Sequence, residues 1–143
     1  MSFKNLPAFK KRLNKRLTTK AHGNAKAAVT RATLLVEGTA KQSIMAGGTG
    51  KTYEKYKPRR THTASAAGQP PASDEGYLAS HITMNVSTKT DGSVVGQIIS
   101  AAPYSKALEF GTVNMQPRPF MHPALMKNKN KIVEIFKKEG IIR

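Results

Sequence analysis

Asp91-Gly92 sits between two β-prone runs, and no other feature limits the fold of this chain as strongly. An Asp-Gly pair adopts the left-handed backbone angles of a tight hairpin turn at little cost. Upstream of it, Ile82, Met84, Val86 and Thr88 alternate with polar residues; downstream, Val94-Val95 and Ile98-Ile99 continue the β-prone character. The pattern predicts an antiparallel hairpin sheet over residues 80–101. With a two-residue turn, Thr88 faces Val95, Val86 faces Gln97 and Met84 faces Ile99. One face is then mostly apolar, and it needs another element to cover it.

Helices supply that cover. Leu6, Phe9, Leu13 and Leu17 recur at spacings of three and four, with lysines and arginines on the other faces. His22-Gly23-Asn24 interrupts this pattern. A second helix is predicted from about residue 25 to 45, with Ala28, Val29, Ala32, Leu35, Val36, Ala40 and Ile44 on its buried side. Gly47, Gly48 and Gly50 end it. Residues 46–76 show neither helical nor strand period and read as one long loop. After the hairpin, residues 103–111 read as a short helix or extended turn ending at Gly111. Pro117, Pro119 and Pro123 precede a C-terminal helix whose apolar face is Leu125, Ile132, Val133 and Phe136. The expectation is a single α+β domain over 1–143. Its parts are basic helices at 4–45, the loop at 46–76, the hairpin sheet at 80–101, and a Pro-rich clasp with C-terminal helix at 103–140. A chain of this length buries roughly two-thirds of its unfolded surface.

Charge speaks about partners. The 143 residues carry 24 Lys+Arg against 8 Asp+Glu, a formal net charge of +16, and the first acidic residue is Glu37. Such an excess favours a polyanion or an acidic protein surface without choosing between them. Lys10, Lys11, Arg12, Lys15 and Arg16 are the candidate contacts: a basic helix can lie along a phosphate backbone or cover an acidic neighbour. Aromatic content is 6%, and Phe9 and Phe110, set in apolar patterns, read as core rather than as base-stacking platforms. There are no cysteines, and His22, His62, His81 and His122 lack metal-ligand spacing. No apolar run is long enough to span a bilayer, and the first residues lack a signal-peptide hydrophobic region. The expectation is a protein made in a reducing cytoplasm, with no membrane partner.

No motif for chemistry emerges. Gly50-Lys51-Thr52 imitates the end of a phosphate-binding loop, but Met45 stands where its first glycine belongs. Asp74 and Glu75 are adjacent on a loop and read as solvated charges. Ser65, Ser73, Ser80 and Ser105 have no evident activating base, and His81 and His122 read as surface or turn residues. Glu109 reads as the partner of Arg118 or Lys106 in an ion pair. Within the clasp, Phe110 and Phe120 are the large apolar groups, and Gly111 is assigned a backbone conformation closed to other residues. The segment is predicted to dock the C-terminal helix on the hairpin sheet.

Two segments resemble a known family. Residues 48–82 hold Tyr53, His62-Thr63-Ala64-Ser65, Gly68-Gln69-Pro70-Pro71-Ala72, Asp74-Glu75-Gly76-Tyr77-Leu78 and Ser80-His81-Ile82. Residues 102–125 hold Pro103-Tyr104, Glu109-Phe110-Gly111-Thr112 and Pro117-Arg118-Pro119-Phe120-Met121-His122-Pro123-Ala124-Leu125. In order and spacing these resemble small phage virion proteins typified by gene product ten of phage Hong Kong ninety-seven. The likeness covers about the last two-thirds of the chain; His81 between Ser80 and Ile82, and Ala67 before Gly68, depart from it. It implies a neck or tail-completion protein of the virion, structural rather than enzymatic and without cofactor. It implies rings of six or twelve copies at the head–tail junction, touching a head closure or connector protein and a tail terminator or tail tube protein; the positive charge would then face either genome DNA, contacted non-specifically, or acidic neighbouring rings. Tyr53, Pro70, Pro71, Gly76, Tyr104, Glu109, Phe110, Gly111, Arg118, Pro119, Phe120 and Pro123 are the candidate structural or interface residues. The alternative from charge alone is a free nucleic-acid-binding protein without strong sequence specificity.

Overall fold

A computed structural model describes residues 6–142. Lys4 and the start of the first predicted helix lie outside the described residues. The structure mixes helix and strand, with two antiparallel two-stranded sheets. One helix, α1, runs unbroken from Leu6–Met45, 40 residues and about 60 Å at 1.5 Å per residue. The two N-terminal helices expected from the sequence are therefore one. Gly23 has open space where a side chain would be, so it costs the helix only its intrinsic penalty of ~1 kcal/mol. Its neighbours are held by the body of the protein: Asn24 Nδ2 donates to the Glu139 carbonyl at 3.2 Å. A side chain at Gly92 would meet the His22 ring at 3.3 Å, so the hairpin tip reaches α1 here. The helix ends at Met45, and Gly47 follows with φ 90°, as the glycine run predicts.

The stretch read as one long loop holds a second hairpin, β1 (Thr52–Tyr56) and β2 (Arg59–Thr63). Tyr53 pairs with His62 and Lys55 with Arg60. Thr52, Tyr53, Tyr56, Thr61 and Thr63 are β-prone, but the cationic residues among them mask the signal. A short helix, α2 (Tyr77–Ser80), leads into β3 (Ile82–Thr88) and β4 (Val94–Ser100).

The β3–β4 hairpin forms as expected, but in a register one residue away. Met84 pairs with Ile98, Val86 with Gly96 and Thr88 with Val94, rather than with Ile99, Gln97 and Val95. The connection has three residues between Lys89 and Ser93. The Gly92 amide donates to the Lys89 carbonyl at 2.9 Å and the Lys89 amide to the Ser93 carbonyl at 2.8 Å. Gly92 has φ 85°, which marks a turn followed by a bulge glycine. Because pairing has period two, the slip leaves Ile98 half-buried and turns Ile99 outward.

Next come α3 (Ser105–Phe110) and α4 (Met121–Lys138). Pro123 falls in the first turn of α4, as expected. The core gathers Val36, Ala40 and Ile44 of α1 with Leu78, Ile82, Ala102, Phe120 and Ala124. On α1, Ala28, Ala32, Val36, Ala40 and Ile44 are buried as predicted, with Val29 and Leu35 half-buried. The clasp docks α4 mainly against α1 rather than on the sheet. Its seam runs through Ala124, Asn128 and Ile132, whereas Leu125 and Val133 face outward. Asn128, 2% exposed, donates to Thr39 Oγ1 and to the Ala124 carbonyl, both at 2.8 Å, so this buried amide keeps hydrogen-bond partners.

Candidate functional site

Residues 7–23 of α1 are all exposed, a length of about 25 Å at the helical rise. Lys10, Lys11, Arg12, Lys15 and Arg16 lie on this arm. So do Phe9, Leu13 and Leu17, exposed by 62%, 43% and 56%. The expectation that Phe9 is core is thus overturned: the body first meets the helix at His22 and Asn24, too far along it to cover Phe9. The arm offers an apolar stripe flanked by cations, and no other element among the described residues covers either.

The second surface is a cleft of about 310 Å³ where the base of the β1–β2 hairpin, residues 71–78 and α3 meet. Of the candidate residues, Pro71, Tyr104 and Arg118 line it together. Tyr53 lies apart on the exposed hairpin beneath Lys51, whose Nζ is 5.6 Å from the ring centroid. Pro70 joins Phe120 and Pro123 over α1, and Gly76 (φ 76°) starts α2. Asp74 and Glu75 are not simply solvated. Lys55 bonds Asp74, and Arg60 reaches Asp74 at 3.2 Å and Glu75 at 2.7 Å. The Lys55 hydrogen bond, with Arg60 and His62 nearby, holds the Asp74 carboxyl below the usual carboxylate range against a smaller opposing effect of burial. Burial, and then the neighbouring Tyr77, push the Tyr104 hydroxyl up. Cross-strand Lys55 and Arg60 thus tie the hairpin to residues 74 and 75, a link without local sequence signal.

In the clasp, Glu109 does not pair with Arg118 or Lys106. Its carboxylate caps α4: Oε2 accepts from the Phe120 and Met121 amides at 2.8 and 3.1 Å, and Oε1 from the His122 amide at 2.9 Å. Helix N-termini leave such amides unsatisfied and favour negative charge, and Phe120, the N-cap residue, has no capping side chain of its own. Gly111 has φ 78°, and a side chain there would meet the Met115 carbonyl at 2.8 Å, so its assigned conformation is present. The two phenylalanines separate: Phe120 is 1% exposed, whereas Phe110 is 73% exposed and not core. Pro119, half-buried, continues the turn into α4.

The Gly50-Lys51-Thr52 loop is engaged with its own chain. The Gly50 amide donates to the Ala64 carbonyl at 2.8 Å and the Ala64 amide to the Lys51 carbonyl at 2.9 Å. Ser80 and His81 touch at 3.2 Å. The imidazole Nδ1, however, is 2.8 Å from the Tyr77 carbonyl, where it donates, and a donating nitrogen takes no proton from a serine. Among the described residues no cluster of three His, Asp or Glu side chains is placed to hold a metal ion, and no helix is long and apolar enough to cross a membrane. Comparison with known proteins finds no matching family model, no matching curated protein and no matching solved structure.

Proposed function

We propose that this chain is a structural protein of a tailed-phage virion. It forms a ring of six or twelve copies at the head–tail junction, between the portal–head closure complex and the tail, around the DNA channel. The observation that carries this reading is the arm of α1. Residues 7–23 are helical and exposed, with Phe9, Leu13 and Leu17 uncovered among the described residues. An apolar stripe of this kind marks an interaction surface, and a ring of identical subunits offers each copy a different face of the next. Contacts between the two resembling segments support it as well: the Gly68 amide donates to the Pro117 carbonyl at 2.9 Å, so both motifs build one surface.

The cations of the same arm support a second reading, a free nucleic-acid-binding protein. Purified chain, imaged by electron microscopy and weighed by sedimentation without nucleic acid, distinguishes them. Closed rings, together with antibody labelling of the neck in purified tailed particles, are the expected result. A monomer at all concentrations, absent from such particles and binding duplex DNA with a steep loss of affinity between 50 and 200 mM salt (on the order of 10³-fold or more), would reject the ring.

A further inference from the structure

The cleft beside Arg118 holds hydrogen-bond donors that the chain leaves unused. Ser65 is 4% exposed, and its hydroxyl has no partner among the described residues. The Arg118 Nε is likewise enclosed without a partner, and among the described residues its guanidinium makes no ion pair. Both residues line the same cleft. The backbone of Arg118 is fixed at the wall, its amide donating to the Leu108 carbonyl at 2.7 Å. Buried polar groups in folded proteins are normally satisfied, by other protein groups, by water or by a ligand.

Local charge narrows the class of that partner. Lys55 and Arg60 neutralise Asp74 and Glu75 by direct pairing. Arg118 is then the surplus charge at the cleft, a single positive one. A planar guanidinium and a nearby hydroxyl match an acceptor-only group with two oxygens. A doubly charged phosphate would meet Asp74 and Glu75 with one unit of charge uncompensated. The volume of about 310 Å³ far exceeds the ~15 Å³ that a single bridging water needs. Pro71, Leu78 and Leu108 add apolar wall for a short methylene stem.

We infer that this cleft is a binding site for a single carboxylate carried on a peptide, held by the Arg118 guanidinium and the Ser65 hydroxyl. The carboxylate is either an Asp or Glu side chain or the C-terminal group of a chain. The site does not depend on the ring reading, since any protein partner can present such a group.

The test is amide-resolved nuclear magnetic resonance on the full chain at fixed ionic strength. Four probes are titrated: acetyl-Gly-Glu-Gly-amide, acetyl-Gly-Gln-Gly with a free C-terminus, acetyl-Gly-Gln-Gly-amide, and sodium acetate. Saturable shifts at Ser65, Ala66 and Arg118 are expected with a carboxylate-bearing peptide and not with the uncharged one. The first or second probe, whichever binds tighter, identifies the source of the carboxylate. Arg118→Gln should weaken that binding at least tenfold, and Arg118→Lys, which keeps charge but loses the planar fork, by less. Ser65→Ala should weaken it several-fold while leaving the melting temperature of the free chain unchanged or higher, because it removes an unpartnered hydroxyl. Shifts with the uncharged peptide equal to those with the charged ones would overturn the inference. So would a response to acetate alone, the absence of saturation with every probe, or wild-type affinity in Arg118→Gln. Should Arg118→Gln fail to fold, unaltered affinity in Ser65→Ala overturns it equally.

Discussion

Replacing Phe120 by alanine tests the core most directly. Its ring is 1% exposed and belongs with Ile44 and Ile82 to the largest fully buried side chains. Around it the cluster includes Ala40, Ala79, Ala102 and Ala124, which have no spare length to swing into a void. Removing a large buried aromatic costs about 3–5 kcal/mol, more where the site cannot collapse, so the upper half of that range is expected. A chain of this size has an unfolding entropy of about 0.3 kcal/mol/K, so the melting temperature should fall by about 13–17 °C. Phe110, 73% exposed, is the internal control: its alanine variant should stay within ~0.5 kcal/mol of wild type. Thermal unfolding followed by circular dichroism, on non-assembled protein, reads both. A Phe120→Ala melting temperature within two or three degrees of wild type, or a larger loss for Phe110→Ala, would refute the packing argument and make Phe120 an interface residue.

Glu109→Gln leaves one acceptor oxygen and no charge facing the first amides of α4, and should cost about 1–3 kcal/mol in denaturant unfolding. Gly96→Ala drives a new methyl group into Thr33 Oγ1, and to 2.8 Å from Val29 Cγ1. It should cost about 1–3 kcal/mol, with part of the loss recovered when Thr33→Ala is added. Gly23→Ala, with open space around the new methyl, should stabilise by about 0.5–1 kcal/mol and raise the helical circular dichroism signal. The folded Asp74 carboxyl titrates below its unfolded value, first because Lys55 bonds it. Its contribution is therefore complete above pH of about 4 and disappears as pH falls through the lower folded value. Acidification should speed hydrogen exchange in residues 52–63 ahead of the core, and Asp74→Asn should show that fast exchange already at neutral pH.

What is legible in the sequence follows from which forces act locally. Apolar spacing along α1 from Ala28 to Ile44 predicts its buried face because helical period and burial are the same fact there. The Asp-Gly turn locates the β3–β4 hairpin, but register depends on turn length, and a bulge glycine looks the same in sequence as a two-residue turn. Gly23 looks like a break because one residue carries no record of the Glu139 carbonyl that receives Asn24 from 115 positions away. Periodicity cannot separate Phe9 from a core residue, since a stripe awaiting an outside partner has the same spacing as one covered by its own chain. At the cleft, Arg118 and Tyr104 stand out in the motif they share, but Ser65, His62 and the Lys55–Asp74 link carry no sign of belonging with them. They meet only because the β1–β2 hairpin folds, and its β-prone threonines and tyrosines are diluted by charge. Sequence points Glu109 at a charged side chain, whereas the strongest donors within its reach are the free amides of α4.

The unbroken course of α1 has a mechanical consequence. A helix interrupted at residues 22–24 would leave its basic half free to pivot on the body. As a continuous helix, the arm takes its direction from the packed half, where Ala28, Ala32, Val36, Ala40 and Ile44 are fixed against the core. The end of α4 clamps α1 near the point of emergence: Asn24 is held by the Glu139 carbonyl at 3.2 Å, and Arg31 pairs with the Glu139 side chain. The ion pair is open to solvent on its Arg31 side and contributes little by itself; the packing carries the constraint. Whatever the arm binds is therefore set at a defined orientation to the Arg118 cleft. A partner that engaged both would have to match the spacing between arm and cleft, and that geometric demand would add selectivity that charge on a flexible tail does not supply.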